Sequence, residues 1–110
     1  MTILFNDKYE CKVDTKAFCQ MEKDLGGKNP INCLYENDLM PPLSVLLIIL
    51  YRAGKRLNKW DSIDTVYDIF DTYCAEGGSI SELASFIVDL FNASGMLGKG
   101  DSEETSESKN

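Results

Sequence analysis

Leu39-Met-Pro-Pro-Leu-Ser-Val-Leu-Leu-Ile-Ile-Leu-Tyr-Arg52 is the densest apolar stretch of the chain, and its reading decides the fold. Pro42 suits the first turn of a helix, where a missing N–H costs nothing. Leu43, Leu46, Leu47, Leu50 and Tyr51 follow at helical spacing and make one core-facing stripe. Val45, Ile48 and Ile49 fall on the other side, and Ser44 is the one polar residue between Pro42 and Tyr51. A helix apolar all round must be covered by its own chain or by a partner.

The 110 residues, 44% of them hydrophobic, suffice for one small domain that buries a core without disulfides. The longest apolar run, Val45 to Tyr51, is far shorter than the roughly 20 residues a membrane-spanning helix needs, so no membrane role is expected. No basic leader precedes an apolar segment at the amino terminus, which predicts a cytoplasmic protein. Cys11, Cys19, Cys33 and Cys74 contain no Cys-x-x-Cys pair, and the chain has no histidine to complete a common zinc site. They are expected to be reduced, mostly buried packing residues.

Charge is divided unevenly along the chain. Residues 1–60 carry nine basic and seven acidic side chains, whereas residues 61–110 carry two basic and eleven acidic. Nucleic-acid binding is disfavoured on this balance, because neutralising phosphates takes a basic surface. The basic cluster Arg52, Lys55, Arg56 and Lys59 suits the negative end of a helix dipole.

Outward from the central stretch, the chain reads as mainly α with a small N-terminal hairpin. Ile3-Leu-Phe5 and Tyr9 to Val13 flank Asn6-Asp7, residues that tolerate a tight turn. Ile3 and Phe5 face Tyr9, Cys11 and Val13 across the hairpin. Asp14 or Thr15 caps a helix to about Leu25, with Phe18, Met21 and Leu25 inward and Gly26-Gly27 ending it. Asn29-Pro30 opens a short helix that stops near Asn37, and Met40-Pro41-Pro42 forces an extended approach to the apolar helix, which ends around Gly54.

Asp61 or Ser62 caps the next helix, whose inward stripe is Ile63, Val66, Tyr67, Phe70 and Cys74. Its outward face carries Asp64, Asp68, Asp71 and Thr72. With no histidine beside it and no second carboxylate helix of recognisable spacing, this row reads as a solvated acidic face, not a metal site. Ser79-Ile-Ser-Glu82 has capping-box spacing and starts a last helix that closes at Ser94-Gly95, with Met96 and Leu97 as a final anchor. The expectation is therefore an α+β domain over residues 1–97, four to five helices in a small bundle, followed by a disordered acidic tail over residues 98–110.

Catalytic constellations are missing. Without histidine there is no Ser-His or Cys-His arrangement, and neither Gly-Gly pair belongs to a phosphate-binding loop. No catalytic, cofactor or metal residue is assigned, and the expected role is binding protein. Val45, Ile48 and Ile49 are the candidate partner face, although a helix sandwiched in a small bundle explains the same pattern. Trp60, beside a helix cap, is a second candidate contact or else a local packing plug.

The order of parts carries a resemblance. The helix ending in Met21-Glu-Lys-Asp-Leu-Gly-Gly27, the apolar segment Leu39 to Gly54, then Val66-Tyr-Asp-Ile-Phe-Asp-Thr-Tyr-Cys-Ala-Glu-Gly-Gly78 and Ser81 to Gly95 resemble the tail assembly chaperones of long-tailed bacteriophages and prophages of Gram-positive bacteria. The resemblance implies a non-enzymatic role in the host bacterial cytoplasm: binding the tape measure protein and helping tail-tube protein assemble around it, with homo-oligomers possible. It also implies a short form and a frameshift-extended form, of which this chain looks like the short one. It transfers no binding residue. The alternative is a small phage or bacterial regulatory or adaptor protein that docks on a host protein through its acidic helix.

Overall fold

A computed structural model of the chain describes residues 1–36 and 40–97. Strands β1 (Ile3–Phe5) and β2 (Tyr9–Cys11) form an antiparallel hairpin in which Ile3 pairs with Cys11 and Phe5 with Tyr9. Asn6 and Asp7 both take positive φ, 53° and 57°, and Lys8 N–H closes the turn on the Phe5 carbonyl at 3.1 Å. Asn and Asp adopt that conformation more readily than other side chains, so the turn follows from those two residue types. The pleat then turns Phe5 and Cys11 into the core while Leu4 and Glu10 face out.

Five helices follow: α1 (Thr15–Asp24), α2 (Pro30–Tyr35), α3 (Leu43–Asn58), α4 (Ile63–Ala75) and α5 (Ile80–Ser94). Four of them start at a side-chain cap. Asp14, Asn29, Ser62 and Ser79 accept hydrogen bonds from the first-turn N–H groups of α1, α2, α4 and α5, which would otherwise lack partners. The apolar helix α3 has no such cap. Its N-cap is Pro42, extended at ψ 145° and so just outside the first turn in which it is expected, with φ −54° set by its ring. Gly95, at φ 80°, ends α5 in the left-handed conformation, and Leu97 packs back on the core.

Helix α3 is the hub, packing on α1, β2, α4 and α5, while α2 lies on α1 and β1 on α5. Its buried residues Leu46, Leu47, Ile49, Leu50, Tyr51, Ala53 and Gly54 cover roughly 200° of its circumference at 100° per residue. No polar or charged side chain is buried among the described residues, so the core is apolar throughout. No described helix is long and apolar enough to cross a membrane. Asn37 and Leu39, at the expected end of α2 and the start of the apolar stretch, lie outside the described residues, as does the acidic tail.

Three expectations are corrected. Helix α3 runs past Gly54 to Asn58 and caps in the left-handed conformation at Lys59. The glycine is there for space: a Cβ on Gly54 would sit 2.5 Å from two carbons of the Trp60 indole. On α4, Tyr67 and Cys74 are exposed, because the inner face is rotated toward Ile69 and Tyr73, which pack on the core beside Ile63, Val66 and Phe70. The cysteines divide evenly, Cys11 and Cys33 buried and Cys19 and Cys74 exposed, all four unpaired. Burial pushes the Cys11 thiol up to about 12, which keeps it a neutral packing group.

Gly54→Ala should lower stability by about 1–3 kcal/mol through overpacking, although alanine gains about 1 kcal/mol in helix propensity. Urea unfolding followed by Trp60 fluorescence measures both the midpoint and the displacement of the indole. An unchanged midpoint would mean that the indole is not seated on Gly54.

Asp14 links α1 to α3 as well as capping α1. Its Oδ1 accepts from Ala17 N–H at 2.9 Å and its Oδ2 from Arg56 at 2.6 Å. The Arg56 hydrogen bond, then that of Ala17, holds its carboxyl below the ordinary 3.8. Folding thus favours the ionised form, and the contribution is present above that value and lost as pH falls through the folded pKa. Asp14→Asn keeps a cap acceptor but removes the charge, so its thermal midpoint should fall less steeply than the wild type's from about pH 5 downward. Parallel curves would remove Asp14 from the acid response.

Candidate protein-binding surface

The four residues singled out in sequence occupy different environments. Ile49 is 0% exposed and lies in the same core cluster as Leu46 and Leu50. Trp60 is 6% exposed, its ring 5.9 Å from that of Tyr9 and its far edge over Gly54. For both, the expectation of a partner-facing side chain gives way to a packing role. The physical reason is that α3 is surrounded on several sides: α1, the hairpin, α4 and α5 together need a buried arc wider than one amphipathic stripe.

Val45 and Ile48 remain half-buried. Val45 leans on the core, whereas Ile48 lies on the ridge Ser44-Ile48-Arg52-Arg56, which follows the i, i+4 spacing along the open side of α3. The ridge is therefore apolar toward the helix start and cationic toward its end. Met40, just before the double proline, is 44% exposed and adds apolar surface at the same end of the chain segment.

Ion pairs fix the cationic half. Arg52 Nε and Nη2 meet the two carboxylate oxygens of Asp24 at 2.6 and 3.1 Å, a two-pronged geometry, and Arg56 meets Asp14 at 2.6 Å. Asp24 in turn raises the Arg52 pKa, chiefly through that hydrogen bond. Both pairs clamp α1 to α3 and hold the guanidinium groups in place. Lys55 reaches back to the Trp60 carbonyl at 3.2 Å, the helix-end role expected of this cluster.

The acidic face of α4 is present as read. Asp64, Asp68 and Asp71 are exposed, and none forms an ion pair among the described residues. No group of three or more His, Cys, Asp or Glu side chains that could hold a metal occurs among the described residues. Leu57, 36% exposed on the last turn of α3, escapes the sequence reading, which ends that helix around Gly54. The signal available was Asn58-Lys59, residue types common at helix ends.

No family model, characterised protein or solved structure matches the chain.

The adjacent positions 48 and 49 separate surface from core. Ile49→Asp should unfold the domain or cost more than about 4 kcal/mol, since it buries an unpaired carboxylate. Ile48→Asp should cost about 1 kcal/mol or less and leave the circular dichroism spectrum unchanged. Equal losses at the two positions would contradict the placement of Ile48 on the open ridge.

Proposed function

We propose that this chain is a non-enzymatic tail assembly chaperone of the long-tailed phage and prophage type, which binds the tape measure protein in the host cytoplasm and assists tail-tube assembly. The observation that carries the reading is the architecture: a hairpin and five helices follow one another in the order on which the resemblance rests, around an apolar central helix. Val45 and Ile48 on the open side of that helix support it, as a place where an apolar stripe of a long helical client could lie. Weak contacts of this size suit a client that must later be released into the tail, because repetition along the client supplies avidity.

A second reading has one observation in its favour. The unpaired row Asp64, Asp68 and Asp71 on α4 is a surface with which a small adaptor or regulatory protein could dock on a basic patch of a host protein.

Co-expression with a phage tape measure protein tests the first reading. The wild type should co-purify with the tape measure protein, and a Val45→Asp, Ile48→Asp double variant should lose about tenfold or more of the yield while keeping its fold and elution volume. Wild-type yield from the folded variant would remove this surface. Normal tails after deletion of the gene, with tube and tape genes intact, would defeat the chaperone reading itself.

A further inference from the structure

A cleft of about 260 Å³ lies between α1 and the C-terminal half of α3, and its lining is markedly basic. Lys12, Lys16, Arg52, Lys55 and Arg56 all border it, while its exposed apolar surface comes chiefly from Leu57, since Ala17 and Ala53 are nearly covered. Asp24 and Asp14 neutralise the two arginines, so the five cations leave three net positive charges at one place on a chain whose total is −7. Lys12 and Lys16 form no ion pair among the described residues. The arginines are held by their carboxylates and Lys55 by the Trp60 carbonyl, so most of the cationic rim is ordered before anything binds.

We propose that this cleft docks an acidic amphipathic peptide segment of a partner protein, with two or three carboxylates placed on Lys12, Lys16 and Lys55 and a small apolar side chain set against Leu57. Charge complementarity argues for the carboxylates, and the apolar floor argues for a peptide over a phosphate chain, which has no group to place there. A nucleic acid would also carry regularly spaced charges past the cleft and onto a predominantly acidic molecule. A short acidic segment ends where the cations end. Each exposed lysine–carboxylate pair is weak by itself, so the affinity comes from several pairs in one register and falls with salt. The proposal goes beyond the assembly reading and does not need it, because neither Val45 nor Ile48 lines the cleft, although Arg52 and Arg56 border both the cleft and the Ile48 ridge.

The test is fluorescence anisotropy of the full chain with a labelled synthetic helical peptide bearing three glutamates along one face beside alanines and a leucine. The same peptide with glutamines in place of the glutamates is the comparison. Lys16→Glu should weaken binding about tenfold, as should the glutamine peptide, and raising salt from about 50 to 300 mM should weaken it severalfold. Lys23→Glu makes the same charge change on α1 but outside the cleft, and it should leave binding within about twofold. Equal effects at the two lysines would reduce the result to net charge and overturn the proposal. So would equal binding of the glutamine peptide, failure of the glutamate peptide to bind, or displacement of it by oligothymidylate at lower concentration than by unlabelled peptide. Self-association of the chain that Lys16→Glu abolishes, with no peptide binding, would assign the cleft to a second copy and overturn it as well.

Discussion

The fold depends on how the end of the hairpin is fastened to the C-terminal half of the central helix. Lys12 N–H donates to the Ala53 carbonyl at 2.9 Å, and the Asn58 side-chain amide bridges the carbonyls of Glu10 and Gly54, each at 2.8 Å. Trp60 then closes over Gly54 and meets Tyr9 from the other side. A two-stranded hairpin is marginal alone in water, and this fastening is what makes it part of the domain. It also fixes where α1 begins, because Asp14 stands two residues beyond Lys12 and pairs with Arg56 on the same stretch of α3.

The two ends of the chain segment that makes up the core are joined by aromatic contacts. Phe5 packs on Tyr73 and Phe86, with ring centres 4.7 and 5.2 Å apart, which places α4 and α5 against the hairpin. Phe18 meets Phe91 edge-on at 6.1 Å and ties α1 to α5. Edge and tilted ring contacts of this kind add to area burial because ring edges and faces carry opposite partial charge. With no polar or charged side chain buried among the described residues to impose a unique arrangement, the specificity of the core rests on these shapes and on the exposed or half-buried ion pairs around α3.

Much of the architecture was legible because its signals are local. Asn29-Pro30, Ser79 and Gly95 are read as helix boundaries, and the structure takes Asp14 from the pair Asp14 or Thr15 and Ser62 from the pair Asp61 or Ser62, since a cap or a left-handed residue acts on its own neighbours. Asn6-Asp7 likewise marks the hairpin turn. What failed depends on distant residues. Gly54 reads as a stop in sequence, and only the indole six residues later explains a glycine inside a helix. Tyr67 and Cys74 match the helical period of α4, but the direction of the inward face, turned toward Ile69 and Tyr73, is set by the partners available to it. The candidate surface was legible only in part for the same reason: Ile49 has the same residue type as Ile48, and the neighbours packed around α3 decide which of the two meets solvent.

The contact between Lys12 and Ala53 also partitions the chain. It closes a loop of about forty residues that contains α1, α2 and the first half of α3, whereas α4 and α5 lie beyond it and are joined to the rest through side-chain packing. The entropic cost of closing such a loop grows slowly with its length, so a single well-packed fastening can hold it. The hydrogen bonds that bind the hairpin to α3 involve no residue of α4 or α5, whereas α4 meets the hairpin through Glu76, on Asn6 and Lys8, and through Tyr73 on Phe5.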